Sequence, residues 1–204
     1  MRKLVSFFFA VVLALPLAAA GQQFQYGKID PPQPVESGNK IEVLEFFWYG
    51  CIHCYHLEPH IEAWLKKLPP DVEFRRVPAV FNQRWGHDAA IYYTLEAMGL
   101  VDKLHRALFD AIHKASLRTD NDAAFSEWLQ RNGVDPKKFT DTMKSFGVQS
   151  KTRRAVQQTV AYKIDGTPAM AVAGRYTVSA EQGRTQQGML EAVDKLVAMA
   201  RKEK

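Results

Sequence analysis

The sequence predicts an α/β fold in which a small sheet is interrupted by a long helical insertion. Two observations predict it. Apolar stretches rich in β-forming residues occur at 41–49, 72–79 and 168–178, whereas residues 84–148 carry apolar side chains at helical spacing. The order is therefore β-α-β, a block of helices, then β-β-α. A chain of 204 residues, 47% hydrophobic and 24% charged, is long enough for one such domain, and its composition excludes disordered and collagen-like proteins.

Residues 1–20 have the layout of a secretory signal peptide. Arg2 and Lys3 precede an apolar, uncharged run, and Ala18–Ala20 provide small residues for cleavage after Ala20. The alternative is an uncleaved membrane anchor, which the short apolar run disfavours because a spanning helix needs about 20 residues. Gly21 follows the cleavage point, so no cysteine is available there for a lipid anchor. We therefore expect an exported, soluble protein.

The charge balance gives no sign of a nucleic-acid partner. Removal of Arg2 and Lys3 leaves 25 basic against 22 acidic residues, a mild net charge of about +3. No stripe of basic residues alternates with aromatic ones, and pairs such as Lys137–Lys138 are typical of solvated helix faces. We expect no binding of nucleic acid.

The first part of the domain, 21–83, begins with a polar, proline-rich lead-in over 21–40, with one short strand near 26–29. The nearly continuous apolar run 41–49 is typical of a buried central strand. Residues 51–68 have helical spacing that Pro69 and Pro70 end, and 72–79 alternate as a second strand.

The insertion, 84–150, contains several helices with clear ends. One ends at Gly99, one follows over 104–115, and one ends at Gly133. The Asp135–Pro136 pair predicts the start of a further helix that places Phe146 on its apolar face and ends at Gly147.

The second part of the domain, 151–204, returns to the sheet. A helix is predicted from about 149 to 162. Alternation over 168–178, with a turn at Ala173–Gly174, predicts a hairpin, and an amphipathic helix over 189–200 ends the chain.

The chemistry is concentrated in the segment Gly50-Cys51-Ile52-His53-Cys54-Tyr55, where a buried strand ends and a helix begins. At a helix N-terminus, free backbone N–H groups and the helix dipole stabilise a thiolate, so we expect the pKa of Cys51 to fall. A protonated His53 would add a positive charge. Cys54 lies one turn along and can form a disulfide with Cys51. Selective stabilisation of the thiolate makes that disulfide more oxidising, by about 30 mV for each 1.4 kcal/mol.

Other interpretations of the cysteine pair remain open at this point. A structural disulfide is possible, although so short a loop restrains the unfolded chain little. A zinc site could use Cys51, Cys54 and His56 or His60, although no second cysteine pair exists. A covalent haem site is excluded because Tyr55, not histidine, follows the second cysteine.

Two segments resemble the DsbA family of periplasmic thiol oxidases, a branch of the thioredoxin-like proteins. LEFFWYGCIHCYHLEP is similar to the strand, active site and first helix of that family, and DGTPAMAVAGRY to its cis-proline loop and hairpin. The helical insertion falls where the family has its own. The resemblance covers the whole chain after the signal peptide and implies a thioredoxin-like fold with an all-helical insertion domain.

The resemblance implies a role for each matching residue. Cys51 matches the exposed nucleophile, Cys54 the buried resolving cysteine, and His53 the histidine that helps to stabilise the thiolate. Pro168 matches the cis-proline that faces the active site, and Thr167 precedes it. An extended substrate would then pair with the backbone at Thr167.

Two further positions bear on the chemistry. Glu45 lies within the buried strand, where a carboxyl must be paired or protonated. The resemblance implies a proton-transfer role beneath the disulfide, with Arg76 near the position of a basic companion. Ile52 departs from the family, which commonly has proline there, and this leaves the reduction potential open.

The remaining histidines are expected to be surface or packing residues: His56, His60, His87, His105 and His113.

We therefore expect a thiol:disulfide oxidoreductase that donates its Cys51–Cys54 disulfide to reduced exported polypeptides in the periplasm. It would use no cofactor beyond that disulfide, act as a monomer, and be reoxidised by a membrane quinone-linked partner of the DsbB type, as the resemblance implies. The alternatives are a reductase or isomerase of the same fold and a polypeptide-binding chaperone. An isomerase is disfavoured because too few residues precede the first core strand for a dimerisation domain.

Overall fold

A five-stranded mixed sheet forms the centre of the computed structural model, which describes residues 24–203. The strand order is β1-β5-β4-β2-β3; β2 and β3 are parallel and all other neighbours are antiparallel. The strands are β1 (Gly27–Lys28), β2 (Ile41–Phe47), β3 (Val72–Pro78), β4 (Ala169–Val172) and β5 (Tyr176–Ser179).

Helices cover both faces of the sheet. Within residues 24–203 they are α1 (Ile52–Leu65), α2 (Gln83–Ala97), α3 (Val101–Ala115), α4 (Asp122–Arg131), α5 (Pro136–Met143), α6 (Phe146–Ala161), α7 (Ala180–Gly183) and α8 (Gln186–Lys202). One apolar core joins the sheet to α1 and α8 and includes Val43, Leu57 and Leu196. The other joins β2 to the helices between β3 and β4 and includes Phe46 and Leu108.

The alternation of β2 decides which side chains face α1. Val43 lies in the core shared with α1, and Leu44 and Phe46 lie in the opposite core. Successive side chains of a strand point to opposite faces, so Glu45 points towards α1. The strand is buried at every position.

The predicted order of strands and helices is confirmed, with two local differences. Phe146 and Gly147 do not end α5: they begin α6, whose N-terminus is capped by the Ser145 side chain accepting from the Val148 amide. Phe146 is 82% exposed, so its placement on an apolar face was wrong. The short helix α7 was not predicted, because four residues are too few for a periodic pattern.

The predicted β4–β5 hairpin turns at Ala173 and Gly174, which have φ of 53° and 67°. Two successive positive φ angles are the geometry of a type I′ turn, whose twist matches that of paired strands. A side chain at Gly174 would also collide with the backbone carbonyl of Gln33.

Two expectations are not settled by this architecture. The domain limits at residues 83/84 and 150/151 stay a prediction, and α6 runs through residue 150 without a break. The signal peptide, 1–20, lies outside the described residues. Within residues 24–203, no helix is both long and apolar enough to cross a membrane.

Candidate active site

The cysteine segment begins directly after the carboxyl end of β2 and leads into α1. Trp48 and Gly50 make the connection, and a Cβ at position 50 would overlap the Trp48 indole, so only glycine fits. The Cys51 amide donates to the Trp48 carbonyl at 2.9 Å. These contacts fix Cys51 as the N-cap residue of α1, in an extended conformation with φ −85° and ψ 113°.

The half-buried Cys51 sulfur takes the place of the usual capping oxygen. The Cys54 amide donates to Cys51 Sγ at 3.3 Å, and the thiol of Cys51 lies 3.3 Å from the Thr167 carbonyl oxygen. Hydrogen bonding from the Cys54 side chain, opposed by partial burial and supported by the Thr167 side chain and the amides of Cys54 and His53, lowers the pKa of Cys51 from 9.0 to about 5. Cys51 is therefore ionised at neutral pH when the protein is reduced.

Cys54 has the opposite character. Its side chain is fully buried, and burial raises its pKa well above 9.0, with a further contribution from the hydrogen bond to Cys51. No disulfide joins the two cysteines in this structure. The reduced pair thus consists of a reachable thiolate at Cys51 and a protonated, inaccessible thiol at Cys54.

His53 is exposed, on the first turn of α1. Its backbone amide is among the groups that lower the Cys51 pKa. Its imidazole, together with Leu57 and Pro168, lines a cavity of about 240 Å³ next to the active site. The predicted contribution of a protonated imidazole to the thiolate stays a prediction.

Thr167 and Pro168 lie across from Cys51, immediately before β4. The peptide bond between them is cis, and Pro168 is buried. Thr167 is half-buried and contacts the Cys51 sulfur through its carbonyl. Two segments 116 residues apart in sequence therefore meet at one sulfur atom.

Glu45 is fully buried and pairs with Arg76. The two residues are partners in the parallel register of β2 and β3, and Arg76 Nε lies 3.1 Å from Glu45 Oε2. This ion pair does not have the geometry of a hydrogen bond. Among the described residues, neither Glu45 oxygen has a hydrogen-bond donor. Burial and the nearby Glu58 carboxylate, only partly offset by Arg76, raise the pKa of Glu45 to about 8.

A second buried acid, Glu58, was not singled out from the sequence. It accepts from Arg76 Nη2 at 2.9 Å and from His105 Nε2 at 3.2 Å. The Nδ1 atom of the same ring lies 2.9 Å from the Tyr49 hydroxyl. Since an ionised Glu58 can only accept, neutral His105 carries its proton on Nε2 and accepts at Nδ1 from Tyr49.

This chain of contacts runs from Glu45 through Arg76, Glu58 and His105 to Tyr49. Glu58 could have been found from the sequence, because it lies four residues after Cys54 and therefore on the same buried face of α1. His105 was expected to be a surface or packing residue, and it does pack between aromatic rings while also making these hydrogen bonds.

The residues that a zinc site would use differ in their exposure. His56 and His60 are exposed on α1, whereas Cys54 is fully buried. In the described part of the chain, no three His, Cys, Asp or Glu side chains come together as a metal site would require.

Comparison with known proteins identifies the family. The model of the DSBA-like thioredoxin domain matches residues 78–192. The thiol:disulfide interchange protein DsbA of Bordetella parapertussis is 43% identical over 95% of this chain and 92% of its own, and that of Burkholderia cepacia is 37% identical over the full length of both. The crystal structure of Pseudomonas aeruginosa DsbA is 37% identical, covers 88% of this chain and 94% of its own, and superposes with a TM-score of 0.83.

These similarities confirm the thioredoxin-like fold with a helical insertion, and with it the predicted enzyme class. They extend over most of the chain, and the Cys51–Cys54 pair lies where a strand meets a helix. The chain belongs to the DsbA family and is a thiol:disulfide oxidoreductase with a redox-active cysteine pair at Cys51 and Cys54.

Proposed function

We propose that the enzyme acts mainly as an oxidase, donating its Cys51–Cys54 disulfide to reduced cysteines of exported polypeptides. The observation that supports this direction is the difference between the two thiols. The pKa of Cys51 falls to about 5 whereas that of Cys54 rises. A stabilised Cys51 thiolate favours the reduced enzyme and therefore makes its disulfide the better oxidant.

The reaction proceeds by two exchanges. A substrate thiolate attacks Cys51 Sγ, a mixed disulfide forms, and Cys54 leaves with the electron pair of the broken S–S bond and takes up a proton. A second substrate thiolate then attacks the substrate sulfur of the mixed disulfide, and Cys51 leaves as a thiolate. The substrate loses two electrons and two protons; one proton stays on Cys54 and the other passes to solvent.

Attack occurs at Cys51 because only that sulfur can be reached. Cys51 is half-buried at the end of α1, whereas Cys54 has no exposed surface. An extended substrate segment would pair with the backbone at Thr167 and lie against Pro168, in the cavity that His53 also lines. The amide of His53 stabilises the leaving Cys51 thiolate.

Glu45 supplies the proton that Cys54 needs. With its pKa raised to about 8, Glu45 is largely protonated at neutral pH, and once ionised its charge raises the pKa of Cys54 and favours the protonated thiol. Neither Glu45 oxygen makes a hydrogen bond within the described residues, so transfer to Cys54 would use an intervening water. Glu45 then regains a proton from solvent, because a pKa of about 8 favours its protonated form at neutral pH.

The reduced enzyme needs an electron acceptor to begin again. The family resemblance supports a membrane quinone-linked protein of the DsbB type, and the sequence pattern of residues 1–20 supports a periplasmic location. The chain would do this work as a monomer without any other cofactor.

A redox titration of the purified protein against glutathione tests the oxidase direction. We expect the enzyme to stay reduced at ratios of glutathione to glutathione disulfide that oxidise a reductase. A potential well below that of the glutathione couple would instead identify a reductase. Cys51→Ser should abolish oxidation of a reduced test protein; if this variant kept its oxidase activity, Cys51 would not be the nucleophile, and if it only retained binding of unfolded chains, a holding role would remain.

A further inference from the structure

The cavity beside Cys51 is apolar at its base and carries a positive charge at its rim. Leu57 and Met189 lie at the base with Pro168, and Arg184 lies at the rim with His53. None of the residues that line this cavity is acidic.

Arg184 makes no ion pair with any described residue, which distinguishes it from most arginines of this chain. The nearest acids along the chain are Glu181 and Glu191. Glu191 accepts instead from the Gln187 side chain at 3.3 Å, and Glu181 meets Arg184 only through its backbone carbonyl. Arg184 also borders a second cavity that contains Glu191 and Lys195, again without an ion pair. Its charge is therefore available to a ligand.

The backbone of Arg184 is unfavourable for an arginine. Its φ is 60° and its ψ −36°, a left-handed conformation that glycine adopts far more readily. The Arg184 amide holds this conformation by donating to the carbonyls of Ala180 and Glu181 at 3.0 and 3.1 Å. Among residues 24–203, no hydrogen bond or ion pair in this turn uses the arginine side chain. Residues held in strained conformations are concentrated at binding sites.

We propose that Arg184 forms a subsite for an acidic side chain of the substrate. This inference rests on the proposed function. The occupant is an extended segment of a reduced polypeptide that carries an aspartate or glutamate near its reacting cysteine and an apolar residue that packs on Leu57 and Met189. The guanidinium would bind the carboxylate at the cavity rim, so acidic segments are oxidised faster than basic ones.

The test compares oxidation rates of matched dithiol peptides by the oxidised wild-type enzyme under pseudo-first-order conditions. Each peptide carries one glutamate or one lysine, placed in turn at positions two to four residues from the first cysteine. At low salt we expect the glutamate peptide to react about two- to fivefold faster at the favoured position, as for a partly exposed ion pair. The ratio should fall towards one in 0.5 M salt.

Three variants test whether Arg184 causes the preference for glutamate peptides. Arg184→Glu should reverse it, and Arg184→Gly should remove it while leaving the melting temperature equal or higher, because glycine relieves the left-handed strain. Arg153→Glu is the matched control: Arg153 is exposed on α6, does not line the cavity, and makes no ion pair with a described residue.

Two results would overturn the subsite. One is equal rates for both peptide series with the wild-type enzyme. The other is a preference that survives in Arg184→Gly and Arg184→Glu or changes as much in Arg153→Glu, which would mean an effect of overall charge. Failure of the proposed function looks different, because the enzyme would then oxidise neither series.

Discussion

The amide nitrogen of Cys54 lies 3.3 Å from the sulfur of Cys51, in the position where a helix-capping side chain normally accepts its hydrogen bond. The three-residue spacing that allows a disulfide therefore also lets a backbone amide in the first turn of α1 donate to the Cys51 sulfur when the disulfide is reduced. Oxidation removes a negative charge that the helix stabilises, and reduction restores it. Helix capping thus contributes to the redox bias of this enzyme, together with the larger effect of the hydrogen bond from the Cys54 side chain.

The Cys51 thiolate should persist to unusually low pH. We expect alkylation of the reduced protein by iodoacetamide, or thiolate absorbance near 240 nm, to titrate at about pH 5. Cys54→Ala removes the largest single cause of the shift, so its midpoint should move upward. It should stay below 9.0, because the amides of His53 and Cys54 remain. A wild-type midpoint near 9 would contradict the capping argument.

Stability of the reduced protein should rise with pH because of the same group. Between the folded pKa of about 5 and the unfolded value of 9.0, only the unfolded chain binds the Cys51 proton. The Cys51 contribution is therefore complete near pH 9 and is lost as pH falls to 5. We expect the difference in unfolding free energy between reduced wild type and Cys51→Ser, from urea titrations, to grow by less than about 1.4 kcal/mol per pH unit, since solvent screens this half-exposed sulfur. A difference independent of pH would show that the thiolate adds no stability.

Replacement of Ile52 by proline should preserve the Cys51 pKa. Position 52 is the first residue of α1, where proline is well tolerated, and Cys51 already has the extended backbone that a following proline requires. The amides that lower the Cys51 pKa belong to residues 53 and 54, so no donor is lost. We expect Ile52→Pro to raise the free energy of unfolding by up to about 1 kcal/mol, measured by urea unfolding.

Ile52→Ala is the control for this substitution, because it removes the 43%-exposed side chain without restricting the backbone. It should change stability by less than about 0.5 kcal/mol. If Ile52→Pro moved the Cys51 titration while Ile52→Ala did not, the amide of residue 52 would have a role that the geometry does not give it.

Much of the fold was predictable because its signals are local. The apolar run of β2 and the Ala173–Gly174 turn each depend on a few consecutive residues. The end of the first helix was predicted less well: α1 ends at Leu65, before the predicted limit at residue 68. Phe146 shows the limit: it has the right spacing for the apolar face of α5, but the Ser145 cap begins a new helix one residue earlier. Periodicity alone cannot choose between continuing one helix and starting another.

The residues of the site likewise fall into those that local motifs predict and those that only the tertiary fold brings together. Cys51, Cys54 and Pro168 lie within short motifs, so their neighbourhood could be anticipated. The contact between Glu58 and His105 joins residues 47 positions apart, and nothing in either segment points to the other. Buried polar networks of this kind depend on how helices are placed on the sheet, which the pattern of apolar residues does not specify.

Glu45→Gln should separate the proton-transfer role of this acid from its structural one. Because burial raises the folded pKa of Glu45 to about 8, its contribution is fully present below the unfolded value of 4.5 and is lost as pH rises through 8. The stability of Glu45→Gln relative to wild type should therefore increase over that range in urea titrations. If Glu45 also protonates Cys54, stopped-flow oxidation of a dithiol peptide should slow at least about tenfold.

Glu42→Gln is the matched control for that experiment. Glu42 is a buried acid on the same strand, but it lies on the opposite face and pairs with Arg75 at 2.9 Å. It should lose stability without slowing the exchange. An unchanged exchange rate in Glu45→Gln would leave Glu45 with a purely structural role.

His105→Leu should weaken the fold and shift the titration of Glu45. The substitution leaves Glu58 and the Tyr49 hydroxyl each without one hydrogen-bond partner, which costs about 1–3 kcal/mol per buried group. It also removes a hydrogen bond that, against the effect of burial, helps to hold the Glu58 pKa below its ordinary value. Glu58 would then be protonated more easily, its repulsion of ionised Glu45 would weaken, and the Glu45 pKa would fall.

A double-mutant comparison measures this coupling. The pH at which Glu45→Gln begins to gain stability over its parent should be lower in the His105→Leu background than in wild type. His105→Gln, which can still donate to Glu58, should restore much of the stability and most of the midpoint. Burial lowers the pKa of His105, so neutral His105 stabilises the wild-type fold and that contribution is lost as pH falls below 6.5. Equal midpoints of the Glu45 titration in both backgrounds would mean that His105 has only a packing role. Loss of packing alone lowers stability but does not move the titration of Glu45, which His105 does not contact.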